Sequence, residues 1–155
     1  MINWFHDKKE IDDISKFPED TYGFVYKITH LPTGKSYIGK KVLYYERNKR
    51  LGKKELETLR EERSIKGLRG RVPTKKKVIT ESDWKSYWGS SKELNILREE
   101  ESEDRFHKEI LCFAKNKKLL TYYELKYLCV YGVLENPKSY WNDNILGKFF
   151  TKDFE

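Results

Sequence analysis

Residues 23–41, GFVYKITHLPTGKSYIGKK, constrain the chain more than any other stretch. Phe24, Tyr26 and Ile28 alternate with Val25, Lys27 and Thr29 at the period of two that a strand imposes, and a second short run, 35–40, follows a Pro/Gly turn. Leu31-Pro32-Thr33-Gly34 makes a four-residue loop in which Pro32 fixes φ and Gly34 supplies the position that needs φ > 0. That loop sets a register with His30 opposite Lys35, Ile28 opposite Tyr37 and Tyr26 opposite Gly39. The two tyrosines then share one face of a hairpin as diagonal neighbours, roughly 7–8 Å apart.

Further elements follow from pattern and caps. A short helix is expected over 10–16, ended by Phe17-Pro18, with Trp4 and Phe5 packed onto the body. Residues 42–63 hold helix formers interrupted by Gly52, and Gly67, Gly70 and Pro73 then break regular structure, so 47–81 reads as an insertion, part helical and part mobile. Ser91 is a good N-cap for a helix over 92–98. Residues 105–113 suit a third, buried strand. A helix over 119–131 gathers Leu120, Tyr123, Tyr127, Leu128, Val130 and Tyr131 on one face, and Glu124 falls inside that stripe. An unpaired carboxylate there is costly by several kcal/mol, so Glu124 should meet a metal, a cation or a hydrogen-bond donor. Phe149-Phe150 is expected to seal the fold. The fold class is α/β (α+β), a small antiparallel sheet of about three strands flanked by helices, in one domain over 1–155.

Charge is concentrated. The net charge of +7 favours polyanionic partners. Residues 48–80 carry twelve Lys or Arg against four Asp or Glu, while the rest of the chain holds twenty against twenty-one. Arg50, Lys53, Lys54, Arg69, Arg71, Lys75, Lys76 and Lys77 thus read as an arm for DNA phosphates, with a solvated loop as the alternative. Hydrophobic residues make up only 37%, so the core must lean on the 15% that are aromatic.

Several function classes fall away. Cys112 and Cys129, in apolar surroundings, read as reduced core residues. His6, His30 and His107 form no metal-spaced pair, and His30 reads as a solvated turn residue. There is no Cys/His zinc pattern, no Walker loop and no serine-histidine-acid arrangement, and no small-molecule substrate is expected. Residues 1–9 lack the apolar core of a secretory signal, and the longest apolar run, 110–114, is too short to span a bilayer, so a cytoplasmic protein without a membrane partner is expected.

Phe24-Val25-Tyr26 and Tyr37-Ile38-Gly39 resemble the two halves of the GIY-YIG endonuclease signature. The first half keeps only the tyrosine; the second matches letter for letter. Residues 83–91 (DWKSYWGSS), 106–111 (FHKEIL), Tyr123-Glu124 and Tyr140-Trp141-Asn142 extend the resemblance to the small phage-borne, Seg-like homing branch, over about 22–150 without the middle insert.

That resemblance implies hydrolysis of DNA phosphodiester bonds, leaving a 3′ hydroxyl and a 5′ phosphate. It implies Glu124 as ligand to one Mg²⁺ or Mn²⁺, a hard cation suited to one carboxylate plus phosphate oxygens. Tyr26 is implied as the group that takes the proton from the attacking water, and Tyr37 as the group that orients it. A phenol with a pKa of about 10 needs nearby positive charge to serve as a base, which Lys40, Lys41 and an arginine could supply. Arg47 best matches the arginine that grips the scissile phosphate, with Arg50 close behind and Lys41 as a substitute. Asn142 would position Glu124 or the phosphate, and Ser90 and Ser91 lie where a helix N-terminus could meet one. No separate DNA-recognition domain is expected after the catalytic body. The rivals are a nucleic-acid-binding protein of the same fold without turnover, and a protein-interaction or inhibitor factor.

Overall fold

The chain forms nine strands and three α-helices in the computed structural model, which describes residues 1–155. In order these are β1 (Trp4–His6), β2 (Lys9–Ile11), β3 (Gly23–His30), β4 (Ser36–Val42), β5 (Tyr44–Arg50), α1 (Lys53–Ile65), β6 (Lys75–Glu81), α2 (Lys92–Glu100), β7 (Phe106–Ala114), α3 (Lys117–Val130), β8 (Asn144–Ile145) and β9 (Phe149–Phe150). Two compact units result, one of Met1–Leu43 with Ser82–Glu155 and one of Tyr44–Glu81.

In the first unit, β3 and β4 form the expected hairpin. Ile28 pairs with Tyr37 and Tyr26 with Gly39, the His30 N–H donates to the Lys35 carbonyl at 2.8 Å, and Gly34 takes φ +73°. β7 pairs antiparallel with β3, as its pattern predicts, with a bulge opposite Val25 and Tyr26. The sheet has five strands rather than three, in the order β2-β1-β7-β3-β4. The extra two come from the N-terminal lead-in, where a helix is expected and only a 3-10 turn, Ile14–Lys16, forms. Asp7 and Lys8 take positive φ and reverse the chain between β1 and β2, and Trp4 buries its ring by pairing β1 in parallel with β7. Long-range packing thus outweighs the local helix propensity.

The sheet's alternation feeds two cores. Phe24, Tyr26 and Ile28 point into an aromatic cluster with Trp4, Phe17, Trp84, Trp88 and Phe106, closed by Leu94 of α2. Val25 and Ile38 point the other way, against Leu120 and Leu128 of α3 with Val133 and Leu134. Each large side chain so buried stabilises the fold by ~1.5–3 kcal/mol. α2 starts at Ser91, whose hydroxyl accepts from the Leu94 N–H at 3.3 Å; α3 starts at Asn116, whose side chain accepts from the Leu119 N–H at 2.9 Å.

Four expectations are corrected in this unit. Val130 is 69% exposed, one position beyond the packed stripe, and Cys129 is also exposed; only Cys112 is half-buried. Phe149 and Phe150 are exposed on the short β8-β9 hairpin instead of sealing a core. His30 is buried, with one ring nitrogen 2.7 Å from the Thr33 hydroxyl and the other 2.8 Å from Glu101, so it ties the turn to the end of α2. Its turn position hid that role because the partner is 71 residues away.

The second unit is a two-stranded antiparallel ribbon, β5 with β6, and α1. Helix is expected from residue 42 onward, but β5 occupies 44–50 and α1 begins only after Gly52. β6 is likewise a strand where a mobile basic loop is expected. The ribbon runs in unbroken register from Tyr44↔Glu81 to Arg50↔Lys75. Like charges facing across it are relieved by ion pairs of Lys76 with Glu55 and Lys77 with Glu46, each at 2.9 Å.

Candidate active site

The first unit contains a cleft of about 620 Å³ beside the outer strand β4. Tyr37 and Ile38 of β4, Ser90 to Glu93 at the start of α2, Glu124 and Leu128 of α3, and the segment from Trp141 to Asn144 line it. Four elements distant in sequence converge there because β4 is a sheet edge, open to whatever the chain brings alongside.

The tyrosine pair sits at one side. The Tyr26 and Tyr37 ring centroids are 6.3 Å apart with a 38° tilt. Tyr37 is half-buried on the cleft wall and its hydroxyl lies 2.8 Å from that of Ser90. Tyr26 is buried behind it among Trp4, Phe24 and Tyr87. Two glycines make room for its hydroxyl: a Cβ on Gly39 would overlap the oxygen, and one on Gly89 would come within 3.0 Å of it.

Burial fixes the charge states. Desolvation raises the Tyr26 phenol well above its ordinary range, with smaller contributions from Tyr37 and Tyr87, and it raises Tyr37 against the opposing Ser90 hydrogen bond. Tyr26 is therefore a neutral phenol in the free protein, not the phenolate that neighbouring lysines were expected to hold. Those lysines are engaged elsewhere. Lys40 donates to the Thr121 hydroxyl at 3.0 Å, and Lys41 pairs with Asp83 while its ammonium lies 4.0 Å from the centre of the Tyr87 ring.

Glu124 projects from α3 into the cleft. Burial raises its carboxyl above the usual carboxylate range, and the Lys40 ammonium and peptide N–H offset part of that. No group of three or more His, Cys, Asp or Glu side chains gathers anywhere in the molecule, so an all-protein metal cage is absent. The Glu124 carboxylate, with Glu93 and Asp143 also on the cleft lining, fits instead a hard divalent cation that keeps most of its waters and takes phosphate oxygens.

Residues 4–145 match a family described as "Putative endonuclease segE, GIY-YIG domain". The chain belongs to the Seg-like GIY-YIG endonuclease family. No curated protein and no solved structure matches it. The two halves of the GIY-YIG signature are thus the facing strands β3 and β4, and the second-half glycine, Gly39, stands directly opposite the first-half tyrosine, Tyr26.

Other expected GIY-YIG site residues are distributed unevenly. Tyr37, Ser90, Ser91, Glu124 and Asn142 meet in the cleft. The Asn142 side chain bonds both main-chain groups of Ile38, which fixes it beside β4. Arg47 lies on β5 of the second unit, a strand and not a helix, with its guanidinium 6.0 Å from the Tyr45 ring centre. Arg50, Lys53, Lys54, Arg69, Arg71, Lys75, Lys76 and Lys77 also belong to that unit. Asp143 and Lys92 line the cleft and were missed by sequence reasoning. Each adjoins a residue that was singled out, Asn142 or Ser91, and that adjacency was the only available signal.

Proposed function

We propose that the protein is a metal-dependent DNA endonuclease of the phage-borne kind that hydrolyses phosphodiester bonds. The observation that carries the reading is Glu124, a carboxylate desolvated on an α3 face and aimed into a cleft opposite Tyr37 and the N-terminus of α2. A structural glutamate on such a face would close onto a cation; the lysine acting on this one is hydrogen-bonded to Thr121.

Glu124 would hold Mg²⁺ or Mn²⁺ together with phosphate oxygens. The cation, when bound, supplies charge neutralisation at the phosphate and the departing 3′ oxygen. Ser91 and the free N–H groups of the first α2 turn receive a phosphate oxygen, where aligned peptide dipoles favour negative charge. Tyr37 orients the attacking water from the cleft wall. Tyr26, behind it, accepts the proton of that water once positive charge close to it, from a cation or a lysine, has stabilised its phenolate. Asn142 keeps β4 and the segment after it in register. Lys41, the first unit's substitute for the arginine, grips the scissile phosphate, and Lys40 and, in the second unit, Arg47, Lys49, Lys53, Lys54 and Arg69 bind other DNA phosphates.

A second reading, DNA binding without turnover, is favoured by one observation: no arginine lines the cleft. Incubating supercoiled plasmid with the protein and Mg²⁺, Mn²⁺ or EDTA separates the two. Cleavage that EDTA abolishes, with product ends that a DNA polymerase extends, is the expected result. Retardation of DNA on a gel without any cut under either metal would replace the nuclease by the binding protein.

A further inference from the structure

The ribbon of the second unit has two unlike faces. Directly opposed residues share a face, and faces alternate along each strand. Tyr45 with Thr80, Arg47 with Val78 and Lys49 with Lys76 form one face, which contains the ribbon's only half-buried residues, Tyr45 and Val78. Tyr44 with Glu81, Glu46 with Ile79, Asn48 with Lys77 and Arg50 with Lys75 lie on the other face, and all eight are exposed. A charge run that served only phosphates would need no strand pairing and no asparagine. At the end of the ribbon next to α1, beyond Glu46 and Glu81, the pairing holds three cations and one carboxamide in fixed register on a single face, in the segment that carries the chain's positive excess.

We infer that this face is a sequence reader that enters the major groove of duplex DNA. Two strands about 4.8 Å apart, with their side chains, match a groove roughly 12 Å wide and 8.5 Å deep. Seven residues per strand span on the order of 23 Å. The side chains are of the kinds that read base edges there: Arg50 can bond guanine O6 and N7 together, and Asn48 can bond adenine N6 and N7 together. Lys77, held by Glu46 in the free protein, exchanges that carboxylate for a base or phosphate. Because strand pairing fixes Asn48 and Arg50 two positions, roughly 6.6 Å, apart, they address base pairs about two steps apart. The inference rests on DNA as the substrate but not on cleavage.

Selection of bound sequences from a random duplex library at physiological salt tests it, using the intact protein, Asn48→Ala/Arg50→Ala, and Lys49→Ala from the other face. The intact protein should enrich a short motif containing guanine and adenine, and replacing its guanines by 7-deazaguanine, which lacks the N7 acceptor, should weaken binding about tenfold to a hundredfold. Asn48→Ala/Arg50→Ala should lose the motif while still binding DNA. Lys49→Ala should keep the motif and lose only salt-sensitive affinity. An unchanged motif in the double variant, indifference to 7-deazaguanine, or the absence of any motif would overturn the reader while leaving the nuclease untouched. Failure to bind any duplex would remove both.

Discussion

The Asn142 side chain accepts a hydrogen bond from the Ile38 N–H at 3.1 Å and donates one to the Ile38 carbonyl at 2.8 Å. With Ser36 bonded to Ser139 and Trp141 through its N–H and carbonyl, this pair turns the open edge of β4 into a closed wall of the cleft. Asn142→Ala leaves two buried main-chain groups unpaired, at roughly 1–3 kcal/mol each. The expected outcome is a lower thermal midpoint together with slower cleavage. Loss of cleavage with unchanged stability would instead assign Asn142 to substrate.

Gly39 leaves space that the Tyr26 hydroxyl fills. Gly39→Ala should destabilise by about 1–3 kcal/mol through overpacking and should slow cleavage. Tyr26→Phe removes the oxygen that the new methyl overlaps, so the double variant should be more stable than the sum of the single changes. Additive urea-unfolding energies would mean that the two residues do not meet.

Tyr26 is neutral in the free protein because burial raises its phenol. If it accepts the proton of the attacking water, the cleavage rate rises with pH about tenfold per unit until the phenol ionises. Tyr26→Phe should cut at least about a hundredfold more slowly and lose that slope. A slope that survives the substitution would move the base elsewhere.

Lys108 is buried on β7, its ammonium 4.2 Å from the Trp4 ring centre and 4.9 Å from that of Trp88, donating to the Lys85 carbonyl at 3.2 Å. Burial lowers its pKa to about 7 from the 10.5 of a free lysine. Between those values the unfolded chain binds the extra proton, so this group makes stability rise with pH across that window and contributes a constant penalty below it. Lys108→Met should flatten the rise and raise the urea midpoint at neutral pH. An unchanged profile would show that the ammonium is not desolvated.

Where sequence was sufficient, the determinants were local. Pro32 and Gly34 set the hairpin register, Ser91 set the start of α2, and the apolar stripe of α3 exposed Glu124 as the one carboxylate out of place. Where it failed, the partner was distant. β1 and β2 exist because Trp4 packs against β7 more than a hundred residues away, and His30 is buried by Glu101. The β5-β6 ribbon was hidden because its alternation is between charged residues, which leaves no hydrophobic period to read. Tyr26 was recognised by position, but its charge state depends on burial among rings from three other segments, Trp4, Tyr37 and Tyr87, and was legible only in three dimensions.

The most direct measurement is cleavage of supercoiled plasmid in Mg²⁺ by the intact protein and by Glu124→Gln, which keeps the shape of the side chain and removes its charge. The intact protein should nick or linearise the plasmid, and Glu124→Gln should be at least about a hundredfold slower while still retarding DNA on a gel. Equal rates for the two proteins would contradict the assignment of Glu124, and with it the account of the cleft as a metal-dependent nuclease site.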